Sequence, residues 1–505
     1  MSGRQNRPDD ILCAVVNPID VALARRSAQL PPSRADDALR ELSHAANHGI
    51  LWFAIAGLLA SRRGPTRRAA LRGVAAITLA STTANAVAKP VFPRRRPAAE
   101  LIPVRRRVTR WPRSSSFPSG HAASAFAFGT AVAVESPAVG AAVLPLAAAV
   151  AYSRVHTGVH WPTDVLAGAG LGIGAGLATR RWWPVRPDEP AAARPAAALP
   201  RLPDGAGLAV LVNPSAGPDS SVSGGRIGGA DLDGDPAATI RAAWPAATVH
   251  VLADGEDAGT VLRGLARRAT ALAVAGGDGT VAAAASVAAE RDLPLTVIPA
   301  GTLNHFARDI GAGDLAGMRA AVAGGEGALV SLATVQVDGD HPRWFVNTAS
   351  LGGYPDMVRI REKLEGRLGK WAAAGIALAR VLRRAQPLVV ELDGQRRAVW
   401  LLFVGNGSYV PKGFAPVARS RLDAGLLDVR YLRADVPLSR SRFLGSVLLG
   451  TLHRSRTYVQ RDVADLEVRV HGEPVRIATD GEVGGAGRRF RFVARTGALA
   501  AYRPK

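Results

Sequence analysis

The chain has 505 residues, enough for about three folding units, and it carries a net charge of +22 with a pI near 11.3. The arginines cluster beside apolar runs rather than along one polar face, which favours an anionic membrane surface over nucleic acid as the partner. A single cysteine, Cys13, excludes an intramolecular disulfide framework and a cysteine-rich metal site. Residues 11–24 are apolar in parts, but Asn17, Pro18 and Asp20 interrupt them, so no secretory signal is expected.

Residues 1–42 form an N-terminal segment in which 11–42 is a candidate interfacial helix. Five apolar runs follow, at 45–60, 69–88, 119–134, 138–152 and 163–179. Uncharged Ala, Gly, Val and Leu with arginine flanks predict an α-helical membrane bundle over 43–181. Several runs fall short of the roughly 20 residues of a span, so a soluble helical bundle is the alternative. Gly168, Gly172 and Gly176 recur every four residues and permit a close helix approach, and Trp182 and Trp183 sit where an interfacial belt belongs. The Pro- and Ala-rich stretch 182–206 suits an extended spacer. From 207 to 332 short apolar runs end in glycine-rich turns, the pattern of an α/β lobe, and 333–505 alternates like a mainly β lobe.

Three clusters in the first third carry chemistry. They are Lys89 with Arg96-Pro97; Pro118-Ser119-Gly120-His121; and Ser153-Arg154 with His160 and Asp164. Ser119 and Gly120 open a helix, where unpaired N–H groups face an anion, and Lys89, Arg96 and Arg154 supply positive charge. Pro162 as a first helical residue puts Asp164 four residues after His160, where the carboxylate can fix the imidazole tautomer while His121 protonates a leaving oxygen. Taken singly, each cluster also reads as helix caps and snorkelling arginines.

Over roughly 35–180 these residues resemble the type 2 phosphatidic acid phosphatase superfamily, whose three signatures they match. The resemblance implies metal-independent hydrolysis of a lipid phosphate or diphosphate through a phosphohistidine, with His160 as nucleophile, Asp164 as its orienting partner and His121 as acid. Lys89, Arg96, Ser119, Gly120 and Arg154 would hold phosphate. Five visible spans are fewer than the six-helix-like core the family implies.

A second set handles phosphate by backbone. Gly276-Gly277-Asp278-Gly279-Thr280 is joined by Asn213-Pro214-Ser215-Ala216-Gly217, by Pro299-Ala300-Gly301-Thr302-Leu303-Asn304 and by Asp480-Gly481-Glu482. It lacks the lysine of a P-loop. Over about 205–503 these pieces look like the catalytic domain of diacylglycerol kinase and related lipid kinases. That resemblance implies a Rossmann-like α/β lobe plus a β-sandwich lobe with ATP and Mg2+ between them. Asn213, Ser215, Gly217, Gly276, Gly277, Gly279, Thr280, Gly301, Thr302 and Asn304 would then bind nucleotide. Asp278 would lie at the phosphates and metal, Asp423 at a second metal position, and Glu482 would be the base for a lipid hydroxyl. His305 follows Asn304 where the family usually has Asp, and Ala424 stands where an acidic residue is common.

Two arginine-rich stretches, 359–384 and 438–456, read either as basic amphipathic helices on anionic lipid or as core-packed helices with a solvated edge. Arginines 62, 63, 67, 68, 180 and 181 put the kinase side in the cytosol and the phosphatase pocket outside, whereas the arginine-rich loop 89–113 disagrees. The expected protein is a bifunctional multi-pass enzyme acting on membrane lipids. The alternative is a regulatory protein whose kinase lobe senses nucleotide or lipid while the phosphatase alone is active.

Overall fold

The computed structural model describes residues 17–62, 64–109, 111–112, 114–185, 189–214, 235–300, 304–353, 376, 380, 386–410, 412 and 418–504. The chain divides into two compact units, Met1–Val185 and Arg186–Lys505.

The first unit is helical. Its helices are α1 (Pro18–Ala28), α2 (Arg34–Ala45), α3 (Ile50–Ala60), α4 (Pro65–Thr82), α5 (Gly120–Glu135), α6 (Pro137–His156) and α7 (Pro162–Ala178). Proline opens α1, α4, α6 and α7, where a missing N–H costs nothing and a fixed φ starts the turn. Every one of the five apolar runs contains a helix. Of these, α6 alone is long and apolar enough to cross a membrane by itself; α2 with the following Asn47–Ala60 passes only as a pair bent by 63°.

Packing centres on α5, which is flanked by α4 and α7. A Cβ on Gly168 would lie 2.4 Å from the Ser119 carbonyl oxygen, and one on Gly172 2.3 Å from that of Ala123, so these two glycines let α7 touch the α5 backbone. On the other flank Gly73 lies against Phe128, which also meets Trp52 at 5.5 Å between ring centroids. At the end of α5 farthest from Ser119, Glu135 is buried between arginines. It accepts from Arg72 Nη2 at 2.6 Å and from Arg68 Nε at 3.2 Å, and Arg72 also donates to Thr179 Oγ1 at 3.1 Å.

The N-terminal helices depart from the interfacial expectation. Such a helix sinks an apolar face into lipid, but the residues that α1 and α2 bury include Asp20, Asp36 and Ser43. Their partners lie in the protein itself. Asp20 accepts from Arg94 and Thr163, Asp36 pairs with Arg106 and His156, and Ser43 accepts from Arg154.

The second unit is built on a mixed sheet. Parallel strands lie side by side in the order Thr248–Val251, Leu208–Val212, Ala271–Gly276, Leu295–Pro299. Leu208–Val212 and Ala271–Gly276 are buried along their whole length, as a parallel strand covered on both faces must be. The later strands pair antiparallel. The long strand Arg489–Tyr502 runs antiparallel to Gly327–Val337 and meets Leu295 through Ala501, so α/β and β regions share one 16-stranded hydrogen-bonded network rather than separate sheets. Two cores remain distinct, one around Val274, Phe306 and Tyr502, the other around Phe345, Val404 and Phe492.

The stretch expected to be an extended spacer runs along the second unit and is tied to it. Arg194–Pro195 pairs with Gly327–Val337, Leu199 N–H donates to the Gly325 carbonyl, and the Tyr502 hydroxyl donates to that of Pro200. Its prolines have no N–H to lose, and the residues between them find partners on a sheet edge. Of the two arginine-rich stretches, 359–384 lies outside the described residues apart from 376 and 380. The other forms the helix Ser439–Leu448 and packs Phe443 and Leu452 against Leu432 and Tyr458, with Leu438, Leu444, Leu448 and Leu449 exposed.

Candidate functional sites

In the helical unit a cleft of about 580 Å3 is lined by Lys89, Arg96, Gly120, His121, Arg154 and His160, so the three sequence clusters meet at one place. The elements explain why. The segment after α4 delivers Lys89, the start of α5 delivers Gly120 and His121, the end of α6 delivers Arg154, and the turn into α7 delivers His160.

His160 is 3% exposed. Its Nδ1 lies 2.7 Å from the Ser116 carbonyl oxygen, which requires the proton on Nδ1 and leaves Nε2 with its lone pair. Nε2 lies 3.3 Å from Arg96 Nη1 at the cleft. Asp164 is farther, 3.7 Å from Nδ1, and its oxygens are taken by Arg94 Nη1 at 2.6 Å and the Trp161 N–H at 2.8 Å. The carbonyl of Ser116 is therefore the direct tautomer-setting contact, a backbone group that no side-chain motif announces. Burial pushes the His160 imidazole down to about 4, with Arg96 and Arg154 acting in the same direction and the Asp164 carboxylate opposing them.

His121 Nε2 pairs with Asn47 Oδ1 at 2.9 Å. Lys89 Nζ donates to Asn85 Oδ1 at 2.7 Å, and burial followed by the charges of Arg96 and Arg154 lowers its pKa. Arg96 is held by the Ser114 carbonyl at 3.0 Å through Nε, and burial lowers its pKa too. The Arg154 guanidinium is held by Ser43 Oγ.

Ser119 behaves differently from the sequence expectation. Its N–H is not open to an anion but donates to the Asp164 carbonyl at 2.9 Å, because the α7 glycines bring that backbone within reach; its hydroxyl caps α5. The helix-start donors left at the cleft are those of Gly120 and His121. The residues that sequence reasoning missed are Asn47, Ser43, Arg94, Ser116, Asp20 and Asp36. Arg94 carried the one available signal, as one of three consecutive arginines ahead of Pro97.

In the mixed-sheet unit the strand Ala271–Gly276 runs into the helix Asp278–Arg291 through Gly277, and no side chain caps that helix start. A Cβ on Gly276 would sit 2.8 Å from Thr280 Cβ, so the turn needs glycine. Thr280 Oγ1 accepts from Asn213 Nδ2 at 2.9 Å, Asp278 Oδ1 accepts from the His305 N–H at 2.8 Å, and Glu482 Oε1 lies 3.6 Å from where a Gly279 Cβ would be. Asn213, Gly276 to Thr280, Asn304-His305 and Glu482 therefore gather at one helix start. Asn304 adopts a left-handed φ of 48° to begin the next helix, His305–Asp309. Ser215, Gly217, Gly301 and Thr302 lie outside the described residues. Within the Asp480-Gly481-Glu482 turn the roles separate: Asp480 accepts N–H bonds from Val346, Asn347 and Thr348, whereas Glu482 is exposed.

Among the described residues Asp423 makes no hydrogen bond or ion pair with this group. Both its oxygens pair with Arg421, at 3.0 and 3.1 Å, and that hydrogen bond lowers its pKa. Among the described residues no group of three or more His, Cys, Asp or Glu side chains is placed to hold a metal ion. A magnesium ion needs no such group, since it binds through one or two carboxylates together with substrate phosphates and water. Asp278 at an uncapped helix start, with Glu482 beside it, fits that requirement.

Comparison with known proteins agrees with this division. The family model described as PAP2 superfamily matches residues 69–188, and the diacylglycerol kinase catalytic domain matches 207–335. A decaprenylphosphoryl-5-phosphoribose phosphatase from Mycolicibacterium smegmatis is 36% identical over 159 residues, 31% of this chain and 79% of that protein. A protein named "Probable lipid kinase YegS-like" from Pseudomonas aeruginosa is 30% identical over 258 residues, 50% of this chain and 82% of that one. A diacylglycerol kinase from Mycobacterium tuberculosis is 31% identical over 201 residues, 38% of this chain and 63% of that protein. With Lys89, Arg96, His121, Arg154 and His160 inside the first match and the glycine-rich helix start inside the second, the chain belongs to the PAP2 superfamily through its helical unit and to the diacylglycerol kinase catalytic domain family through its mixed-sheet unit.

Proposed function

We propose that this is a bifunctional membrane enzyme which removes phosphate from a lipid phosphate or diphosphate at one site and phosphorylates a diacylglycerol-like lipid hydroxyl with ATP at the other. The observation that carries the first half is the His160 ring, whose Nδ1 proton is held by the Ser116 carbonyl while Nε2 faces the cleft beside Arg96. Nε2 attacks phosphorus, the bond to the leaving oxygen breaks, and His121 delivers a proton to that oxygen. Water then attacks the phosphohistidine, His121 takes its proton, and inorganic phosphate leaves with His160 restored. Lys89, Arg96, Arg154 and the N–H groups of Gly120 and His121 hold the phosphoryl oxygens throughout. No metal takes part. Asp164 acts on His160 at 3.7 Å and on the N-cap of α7 directly.

In the kinase unit Glu482 takes the proton of the lipid hydroxyl as that oxygen attacks the γ-phosphorus, and ADP leaves. The N–H groups at the start of Asp278–Arg291 would bind the nucleotide phosphates, and Asp278 would hold the magnesium ion. Magnesium bound there would neutralise charge on the phosphate oxygens. Several helices of the first unit cross or enter the membrane together, and the kinase unit works in the cytosol, where ATP is found.

The test uses the purified full chain in detergent with γ-labelled ATP, Mg2+ and total lipid of its host. The expected result is a labelled lipid that is absent with Asp278→Ala and persists longer with His160→Ala. Label that forms but decays independently of His160 means that the two sites use different lipids. No label from wild type refutes the kinase half.

A further inference from the structure

Two groups flank the Nδ1 side of the His160 ring, the Ser116 carbonyl at 2.7 Å and the Asp164 carboxylate at 3.7 Å. One residue, Arg94, holds both. Its main chain fixes the first: the Ser116 N–H donates to the Arg94 carbonyl at 3.0 Å, and the Arg94 N–H donates to Ser115 Oγ at 3.0 Å. Its side chain fixes the second, with Nη1 donating to Asp164 Oδ1 at 2.6 Å and to Thr163 Oγ1 at 2.8 Å. Nη2 is anchored on Asp20 Oδ2 at 2.7 Å, and Asp20 also accepts the Thr163 N–H at 2.9 Å and the Thr163 hydroxyl at 2.6 Å. The Arg94 side chain is 11% exposed and those of Asp20 and Asp164 are fully buried, so water does little to screen these charges.

The arrangement decides how the Asp164 charge acts. A buried carboxylate standing alone beside an imidazole favours the imidazolium, and a proton on Nε2 would occupy the lone pair needed for attack. Here a guanidinium is bonded between Asp164 and Asp20, and the second Asp164 oxygen is taken by the Trp161 N–H. The other titratable groups around the ring oppose a further positive charge: Arg96 at Nε2, Arg154 from the end of α6 and His121 from the start of α5, with Lys89 lining the same cleft. Asp164 is the group that pulls the other way, and Arg94 is bonded to it.

We infer that Arg94 is a positioning residue of the phosphatase: anchored by Asp20 of α1, it holds the Ser116 carbonyl and the Asp164 carboxylate in place around His160 and offsets the carboxylate's charge beside the nucleophile. The inference rests on the phosphatase reading above and adds to it a residue and a helix which that reading does not use.

The experiment follows inorganic phosphate released from total host lipid by the detergent-purified full chain, at dilute lipid and as a function of pH, with His160→Ala as the blank. Ionisation of the substrate is common to all variants, so the difference between them belongs to the enzyme. Arg94→Gln keeps a hydrogen-bond donor but not the charge, and should move the acid limb up from near 4 by about one pH unit or more. Arg94→Lys restores the charge and should return the limb to near 4. The position of a limb does not depend on how much of a preparation is folded, so lost stability lowers the rate without imitating the shift. Where Arg94→Gln turns over too slowly, NMR titration of the His160 ring, assigned by difference from His160→Ala, reads the same shift. An unmoved limb in Arg94→Gln, or an equal shift in both variants, would overturn the inference while leaving the phosphatase intact. Absence of His160-dependent release by the unsubstituted chain would overturn the phosphatase reading, and this one with it.

Discussion

The two candidate phosphate sites are built by opposite means. In the helical unit the candidate residues are buried or half-buried side chains that are already bonded: Arg96 to Ser114, Lys89 to Asn85, Arg154 to Ser43 and His160 to Ser116. In the mixed-sheet unit the candidate phosphate-binding groups belong to the backbone of a glycine turn, with Asp278 and Glu482 as the nearby carboxylates. The difference follows from what each reaction must supply. In the proposed reactions the phosphatase would provide both nucleophile and countercharge from its own chain, whereas the kinase would share the charge with the ion that accompanies its nucleotide. Preformed side-chain geometry thus marks the first site, and room for a ligand marks the second.

The widest break between them should come from single substitutions that silence one site alone. His160→Ala is expected to abolish phosphate release with label transfer from ATP retained, and Gly276→Val to do the reverse, since any Cβ there collides with Thr280; parallel assays of one preparation check both. Loss of both activities in either variant would show that the units are not independent.

Next in size is a stability effect confined to the helical unit. Glu135→Ala leaves Arg72, fully buried, without its countercharge, and should destabilise that unit by about 3–5 kcal/mol in thermal unfolding, with the mixed-sheet unit melting as before.

A smaller and more diagnostic effect is pH dependence. Because the folded His160 imidazole lies near 4 rather than at its ordinary 6.5, the unfolded chain binds more protons here between those values. This contribution to stability is therefore complete above about pH 6.5 and is lost as pH falls toward 4. If His160 is the nucleophile, as proposed, it stays neutral over the same window, so the acid limb of kcat/KM assigned to the enzyme should fall near pH 4, and a limb near 6.5 would contradict the buried geometry.

The smallest expected change is at Asp423. Its exposed partner Arg421 makes the pair a weak, solvent-screened one, and Asp423→Asn should leave label transfer within about twofold. Loss of transfer, rescued by raised Mg2+, would restore the metal role implied by the family resemblance.

Much of both sites was legible because it follows local rules. Pro162 at a helix start, Ser119 as an N-cap, glycine at the turn after a buried strand and small residues every fourth position on α7 each act within a few residues of their own position. Spacing alone therefore determined where α4 to α7 lie, that His160 and Asp164 share the entry to α7, and that Gly276 to Thr280 form a helix-start turn. Contacts between residues far apart in the chain were decided only by the tertiary structure. Ser116 lies 44 residues from the imidazole it holds, and Ser43 111 residues from Arg154. The Ser119 N–H is consumed by the Asp164 carbonyl because two helices pack backbone to backbone, and the Pro-rich stretch is strapped to a sheet edge that no local pattern announces. A carbonyl has no side chain to betray it, and a hydrogen bond across the fold depends on which helices touch. The sequence thus determined the reagents and the turns that carry them, and the packing inside each unit decided which donor each reagent meets.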